Sequence, residues 1–316
     1  MKRKAIALAL LFAVALTGTA MAKTFITIGS GGVGGTYYPL GGSMAEVLTK
    51  ADIDVKATSR STAASKENCR LVASGRAQIG MTMGSTLYQA FTGTGAFEKD
   101  GKLPLEILFN MYPAPEHLVT TNRTGITTFE DLKGKRVSIG APGSGNQVLA
   151  RMILAAAGID PEKDFSMQQL TQPEAAMALK DGNLDAVFWN FAAPGSAVLE
   201  VAAVRDVVLI PLPEDLVKKV VEENSFLFPY TIKKEVYPGQ PEDVLTVADG
   251  NYLVVKKGMD EKLGYDLTKT LIENRKAFMQ VTQQAVHFAP EEASVGIIPF
   301  TPGAVKFFKE KGIEID

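Results

Sequence analysis

Short apolar runs alternate along this chain with stretches whose apolar residues recur every three or four positions, the two signatures of strand and amphipathic helix. Phe25-Ile26-Thr27-Ile28 predicts a strand, a glycine-rich turn follows, and 38–49 predicts a helix. A second strand is expected at 53–57. A helix is expected at 65–74, with Ser65 as its cap, Asn68 at its third position and Gly75 past its end. Strands are expected at 78–81, 136–139, 185–189 and 207–210, and a short helix at 128–133. Val148, Leu149, Met152, Ile153 and Ala156 keep helical spacing before Gly158, and Pro173 opens a helix that runs to 180. The stretch 260–286 reads as one long amphipathic helix or a helix pair.

This βαβ rhythm predicts an α/β fold of mainly parallel strands with helices on both faces. The order strand, glycine turn, helix at 25–49 recurs at 136–157. That repetition predicts two α/β lobes with a cleft between them, joined by crossing strands near 118–120 and 252–255.

Lys2, Arg3 and Lys4, the unbroken apolar run 5–16 and the small residues Ala20 and Ala22 have the grammar of a secretory signal peptide over residues 1–22. The run is too short to cross a membrane at 1.5 Å per residue. The mature chain is expected to begin at Lys23 as an exported, soluble periplasmic monomer. Composition then narrows the chemistry. The 316 residues are 46% hydrophobic and 22% charged, ordinary for a globular protein. No run of basic residues supplies the electrostatic footprint that nucleic acid needs. One cysteine, Cys69, makes no internal disulfide, and His117 and His287 are too far apart in sequence for a histidine metal motif. Neither metal nor cofactor is expected.

Gly29-Ser30-Gly31-Gly32-Val33-Gly34 matches the spacing of a dinucleotide fingerprint between strand and helix. The acidic residue that should end the next strand is missing, since Thr58 and Ser59 follow it. A simple turn is one alternative. The reading preferred is an anion site: Gly35, Thr36, Tyr37 and Tyr38 place free backbone N–H groups and hydroxyls at a helix start. Pro142, Gly143, Ser144, Gly145 and Asn146 repeat the device, with Ser144 either a ligand donor or a plain cap. Ser65 and Asn68 open a third such turn. Trp189 ends a strand where α/β proteins bind ligands, or else packs in the core. His117 reads as structural. No Ser, His and acid arrangement stands at a favoured spacing, so the chain is read as a binding protein and not an enzyme.

Together these residues resemble the TAXI family of solute receptors, the substrate-binding subunits of TRAP transporters. The resemblance covers essentially the whole mature chain. It rests on Gly34-Gly35-Thr36-Tyr37-Tyr38-Pro39-Leu40-Gly41-Gly42, on Thr62 with Ser65 and Asn68, and on the stretch 126–137. It continues through Pro142-Gly143-Ser144-Gly145, 181–188, Tyr237-Pro238-Gly239 and 302–312. The family often has two glycines where this chain has Ala63-Ala64. The resemblance implies a type II periplasmic-binding-protein fold, with lobe 1 at 23–117 and 253–316 and lobe 2 at 118–252. It implies a small carboxylate ligand, such as glutamate or a related dicarboxylate or 2-oxo acid, and delivery to a membrane permease without ATP. An exported enzyme acting on a small acid, or a sensor subunit, are the alternatives. On this reading Ser144→Ala should weaken binding by roughly 10- to 150-fold with the fold nearly unchanged, and Arg60→Ala should do less.

Overall fold

The computed structural model describes residues 23–33 and 35–315, so the proposed leader lies outside the described residues. Strand β1 (Thr24–Gly29) leads into α1 (Tyr37–Lys50), and β2 (Val55–Arg60) into α2 (Ser65–Ala73). β3 (Ile79–Met83) runs directly into α3 (Gly84–Thr92), after which β4 (Leu105–Thr121) extends for 17 residues. β5 (Arg136–Ser138), α4 (Gly145–Ala156), β6 (Ser166–Gln168), α5 (Gln172–Asp181) and β7 (Ala186–Asn190) follow. Then come α6 (Ser196–Ala202), β8 (Val207–Leu209), α7 (Glu214–Glu223), β9 (Leu227–Ile232) and β10 (Val244–Lys256). The chain ends in helices α8 (Glu261–Glu273), α9 (Arg275–Phe278), α10 (Pro290–Ala293) and α11 (Pro302–Glu310).

The strands order β2-β1-β3-β10-β4-β7-β5-β6, with β8 on β4 and β9 on β10. β1 pairs in parallel with β2 and β3, and β5 with β6 and β7. The long strands β4 and β10 are antiparallel to their neighbours and hold the two parallel groups together. β4 changes partner along its length: Pro115 still faces Ala248 of β10, whereas Glu116 faces Asn190 of β7. Pro113 and Pro115 have no N–H to donate, which suits a point where one ladder ends and the next begins.

The buried side chains divide in the same way. One cluster runs from Ile26 to Ala114 and resumes at Tyr252 through Phe308, joined by Ala192. Two further clusters, one around Leu118, Phe188 and Leu216 and one around Val119, Trp189 and Tyr237, belong almost wholly to residues 118–247. The chain end rejoins the first cluster: Phe300 bridges Ile107, and Thr301 donates its N–H to the Ile107 carbonyl at 2.9 Å.

Several expected elements shift. The second strand occupies 55–60 and not 53–57, and 128–133 forms only a 3-10 turn over Glu130–Leu132. The stretch 260–286 is not one long helix. α8 stops at Glu273, and its cap, Asn274, folds its amide back onto the Thr270 carbonyl at 2.8 Å. α9 and a 3-10 turn at Gln283–Phe288 carry the rest, letting Phe278 and Phe288 turn inward against each other.

Candidate functional site

Four helices begin at one place. The first residues of α1, α2, α4 and α5 all border a cavity of about 340 Å³ between the two groups of parallel strands. A helix start carries backbone N–H groups with no partner inside the helix and the positive end of the helix dipole, about half an elementary charge; α5 offers the fewest, because Pro173 has no N–H and Thr171 caps the Glu174 N–H. One wall is built by Gly31–Val33, Gly35, Thr36, Tyr37 and 62–65. The other is built by Gly140, Ala141, Ser144, Gly145, Asn146 and 170–173. The floor comes from the crossing region: Tyr112 on β4, Trp189 and Asn190 on β7, Phe191 just beyond it, and Asn251 on β10.

The walls meet closely. A side-chain carbon at Gly145 would stand 2.5 Å from Ser65 Oγ and 2.7 Å from Met83 Sδ. Gly145 is therefore the residue that lets α4 start against α2.

Most of the cavity's side-chain donors already hold its walls. Tyr37 Oη donates to Asn251 Oδ1, while Asn251 Nδ2 donates to the Tyr112 carbonyl at 3.3 Å. Ser144 caps α4, its Oγ accepting from Gln147 N–H at 3.2 Å and donating to the Ala141 carbonyl at 2.7 Å. Asn146 Nδ2 donates to the carbonyls of Ile139 and Phe188, and its Oδ1 accepts from Asn190 N–H. What remains for a ligand is chiefly backbone N–H at the helix starts, with the Ser65 hydroxyl and the Gln172 amide.

Of the twelve residues singled out from sequence, eight border the cavity: Gly35, Thr36, Tyr37, Ser65, Ser144, Gly145, Asn146 and Trp189. Four do not. Tyr38 is 44% exposed on the outer side of α1, one position past the inward-facing Tyr37. Asn68 is fully buried behind the wall, its amide spent on the carbonyls of Ser30 and Met81 and on the Thr62 hydroxyl. Pro142 is exposed, and Gly143 with φ +84° only turns the chain toward α4. Ser65 borders the cavity but does not cap α2. That position falls to Ala64, and Ser65 Oγ instead accepts the Met83 N–H at 3.1 Å. Ala64 sits at φ +71°, a backbone strained for any residue with a side chain, which explains why glycine suits this turn. Arg60 is exposed and away from the cavity lining.

Tyr112, Asn190, Phe191 and Asn251 border the cavity without having been expected. All lie on or beside the crossing strands, where apolar runs look like plain core. Trp189 does both things: it is 1% exposed, stacks obliquely near Phe191 and still forms floor.

Two buried acids lie beneath the floor. Asp249 is buried on β10, and burial pushes its carboxyl up to about 7. Its Oδ2 accepts Ser85 N–H at 2.9 Å, and its Oδ1 has no partner among the described residues. Burial also pushes Glu116 well up; the charge on Asp249 adds to this and the Asn190 amide opposes it. Burial drives His117 down to about 4, so it is neutral at pH 7; its Nε2 pairs with Tyr237 Oη at 2.7 Å. That pairing makes His117 a structural group. No cluster of His, Cys, Asp and Glu among the described residues suits a metal ion, and no described helix is long and apolar enough to cross a membrane.

Comparison with known proteins agrees with this architecture. The model of the NMT1-like family matches residues 28–312. The alkanesulfonate-binding protein of Xanthomonas axonopodis pv. citri, solved with MOPS bound, shares 14% identity over 93% of this chain and 81% of its own, with a TM-score of 0.51. A structure from Bordetella bronchiseptica RB50 shares 18% over 91% and 89%, with a TM-score of 0.53. The ligand-binding component of an ABC-type import system from Staphylococcus aureus shares 11% over 84% and 79%, at 0.50. At these identities the likeness establishes the fold: two α/β lobes flanking a cleft, as in periplasmic binding proteins.

Proposed function

We propose, from the premise that this chain belongs to the NMT1-like family, that it is a periplasmic solute receptor. In this reading it captures a small carboxylate between its lobes and hands it to a membrane permease, as a non-enzymatic monomer. Lobe 1 comprises 23–117 and 253–316, lobe 2 comprises 118–252, and residues 1–22 are removed on export. The observation that carries the reading is the convergence of four helix starts on one cavity. A carboxylate there meets several N–H donors that no side chain has claimed. Gly35, Thr36, Tyr37, Ser65, Ser144, Gly145, Asn146 and Trp189 are the residues assigned to the site. The glycine–tyrosine opening and the Pro142–Gly145 turn support a TRAP permease of the TAXI kind as the partner. The neighbours named above as binding proteins, one of them an ABC-type import component, support transport in general.

A thermal-shift screen of carboxylic acids tests the receptor. A ligand at 100 times its dissociation constant should add about 2.7 kcal/mol of stability, and small-angle scattering should show a smaller radius of gyration when it is bound. A screen in which no acid shifts the transition would sink the reading. Reconstituting the receptor with its permease in vesicles separates the two transport classes: uptake should follow an ion gradient and proceed without ATP.

A further inference from the structure

Resting on that carboxylate reading, we infer that the cavity selects acids with a single negative charge and an uncharged, apolar body. It excludes dicarboxylates and amino-acid zwitterions. Among the described residues that line it, none is Lys, Arg, His, Asp or Glu. One charge can be met by the converging helix starts. A second would have no countercharge anywhere on the lining.

The rest of the lining is built for apolar contact. Val33, Met83, Leu170, Trp189 and Phe191 face the same space from both walls and the floor. The methyl group of Ala64 joins them at φ +71°, a conformation that glycine would hold without strain. The ionisable groups nearest the floor are two acids and a neutral histidine: Asp249 lies two residues along β10 from Asn251, Glu116 pairs in register with Asn190, and His117, uncharged at pH 7, packs on Phe191 with ring centroids 4.8 Å apart. A second carboxylate would approach these acids with no cation between. An ammonium group would find no carboxylate on the cavity surface itself, since Asp249 and Glu116 are both buried beneath it. An unpaired charge in a desolvated site is strongly disfavoured, so discrimination on the order of 100-fold or more is expected.

Calorimetric titration of the full mature chain with matched probes tests this. 4-Methylpentanoate, 4-methyl-2-oxopentanoate and phenylacetate form one arm; glutarate, 2-oxoglutarate, leucine and glutamate form the other. At least one member of the first arm should bind about 100-fold tighter than every member of the second. Leu170→Arg, which places a cation on the lining, should then narrow the gap between glutarate and 4-methylpentanoate by about tenfold or more. If any member of the second arm binds within tenfold of the best monocarboxylate, the single-charge inference is overturned while the receptor reading stands. If no member of either arm binds, both fall.

Discussion

Asn68 and Asn146 do the same job in different lobes. Each sits in the first turn or so of a helix, α2 or α4. Each sends its amide N–H groups to carbonyls just past the end of the ladder between two adjacent parallel strands: Ser30 and Met81 for Asn68, Ile139 and Phe188 for Asn146. Each stands where a glycine leaves room. A side-chain carbon at Gly29 would come 2.6 Å from Asn68 Oδ1, and one at Gly140 would come 2.5 Å from Asn146 Nδ2. Strand carbonyls splay outward at the end of a parallel ladder and need partners. In each lobe one asparagine supplies them and fixes where the helix begins.

The two differ in what stands on the other side. Asn68 is fully buried, and its Oδ1 accepts from the Thr62 hydroxyl at 2.8 Å, so its network closes within lobe 1. Asn146 borders the cavity, and its Oδ1 accepts from Asn190 N–H at 2.5 Å. Asn190 in turn lies beside Glu116 and, through it, near Asp249. The first asparagine is a sealed support. The second joins the ligand cavity to the acidic crossing strands. One residue type in one local role thus has different consequences because of the dielectric around it.

The largest effect should come from breaking the sealed support. Asn68→Leu leaves the Met81 carbonyl without its donor in a site with no water access, and leaves the Ser30 carbonyl only the Thr62 hydroxyl at 3.2 Å. Urea unfolding should show a loss of about 3–4 kcal/mol. A loss below about 1 kcal/mol would mean these carbonyls find other partners and the support is dispensable.

Next in size is the acid behind the second asparagine. The Asp249 carboxyl is raised from its ordinary 3.8 to about 7 by burial, so the folded chain holds a proton that the unfolded chain releases. Stability is unimpaired below pH 4, declines as pH rises toward 7, and levels off above it. Asp249→Asn removes that decline. Between pH 5 and 8 wild type should lose about 2–3 kcal/mol relative to the variant. Superimposable pH profiles would show that Asp249 titrates normally and that the floor is open to water.

How far sequence alone reached follows from the same contrast. The βα rhythm was legible because apolar periodicity and glycine stops are local, and the two-lobe arrangement followed from its repetition. The helix starts of α1 and α4 were legible as wall for the same reason. Asn68 was read as a ligand group because an asparagine with free donors and one with spent donors look identical in sequence. Only the positions of the Ser30 and Met81 carbonyls, brought in by β1 and β3, distinguish them. The floor was hidden. Tyr112 lies in a 17-residue strand containing Pro113 and Pro115, which read as breaks, and Asn251 reaches it only through the pairing of β10 with β4. α3 escaped because it begins at Gly84 with no turn after β3, so nothing punctuates the change of period.

Asn146→Ala sharpens the comparison from the open side. The carbonyls of Ile139 and Phe188 lose their donor, but water in the cavity can replace it, so the stability cost should be about 1–2 kcal/mol. Affinity for the best monocarboxylate should fall about tenfold or more, because the start of α4 and the position of Asn190 both loosen. If Asn146→Ala unfolds the chain more readily than Asn68→Leu, the assignment of sealed and open supports is reversed.

The smallest effect separates two serines that sequence treats alike. Ser144 Oγ is used twice inside its own turn, accepting from Gln147 N–H and donating to the Ala141 carbonyl. Ser65 Oγ accepts from Met83 N–H and reaches within 2.5 Å of where a side-chain carbon at Gly145 would stand. Ser144 is therefore a cap, and its ligand contact passes through the N–H groups of α4 that it orients. Ser144→Ala should cost about 1 kcal/mol of stability, and Ser144→Gly only a few tenths, the difference expected at a helix N-cap. Affinity in both variants should stay within about tenfold of wild type, less than the roughly 10- to 150-fold loss that a direct charged contact would give. Ser65→Ala should weaken binding more than either. Thermal melts and calorimetry on the three variants decide the matter. A 100-fold loss of affinity in Ser144→Ala with an unchanged melting temperature would return Ser144 to direct contact with the carboxylate, and the two walls would then hold the ligand by different chemistry.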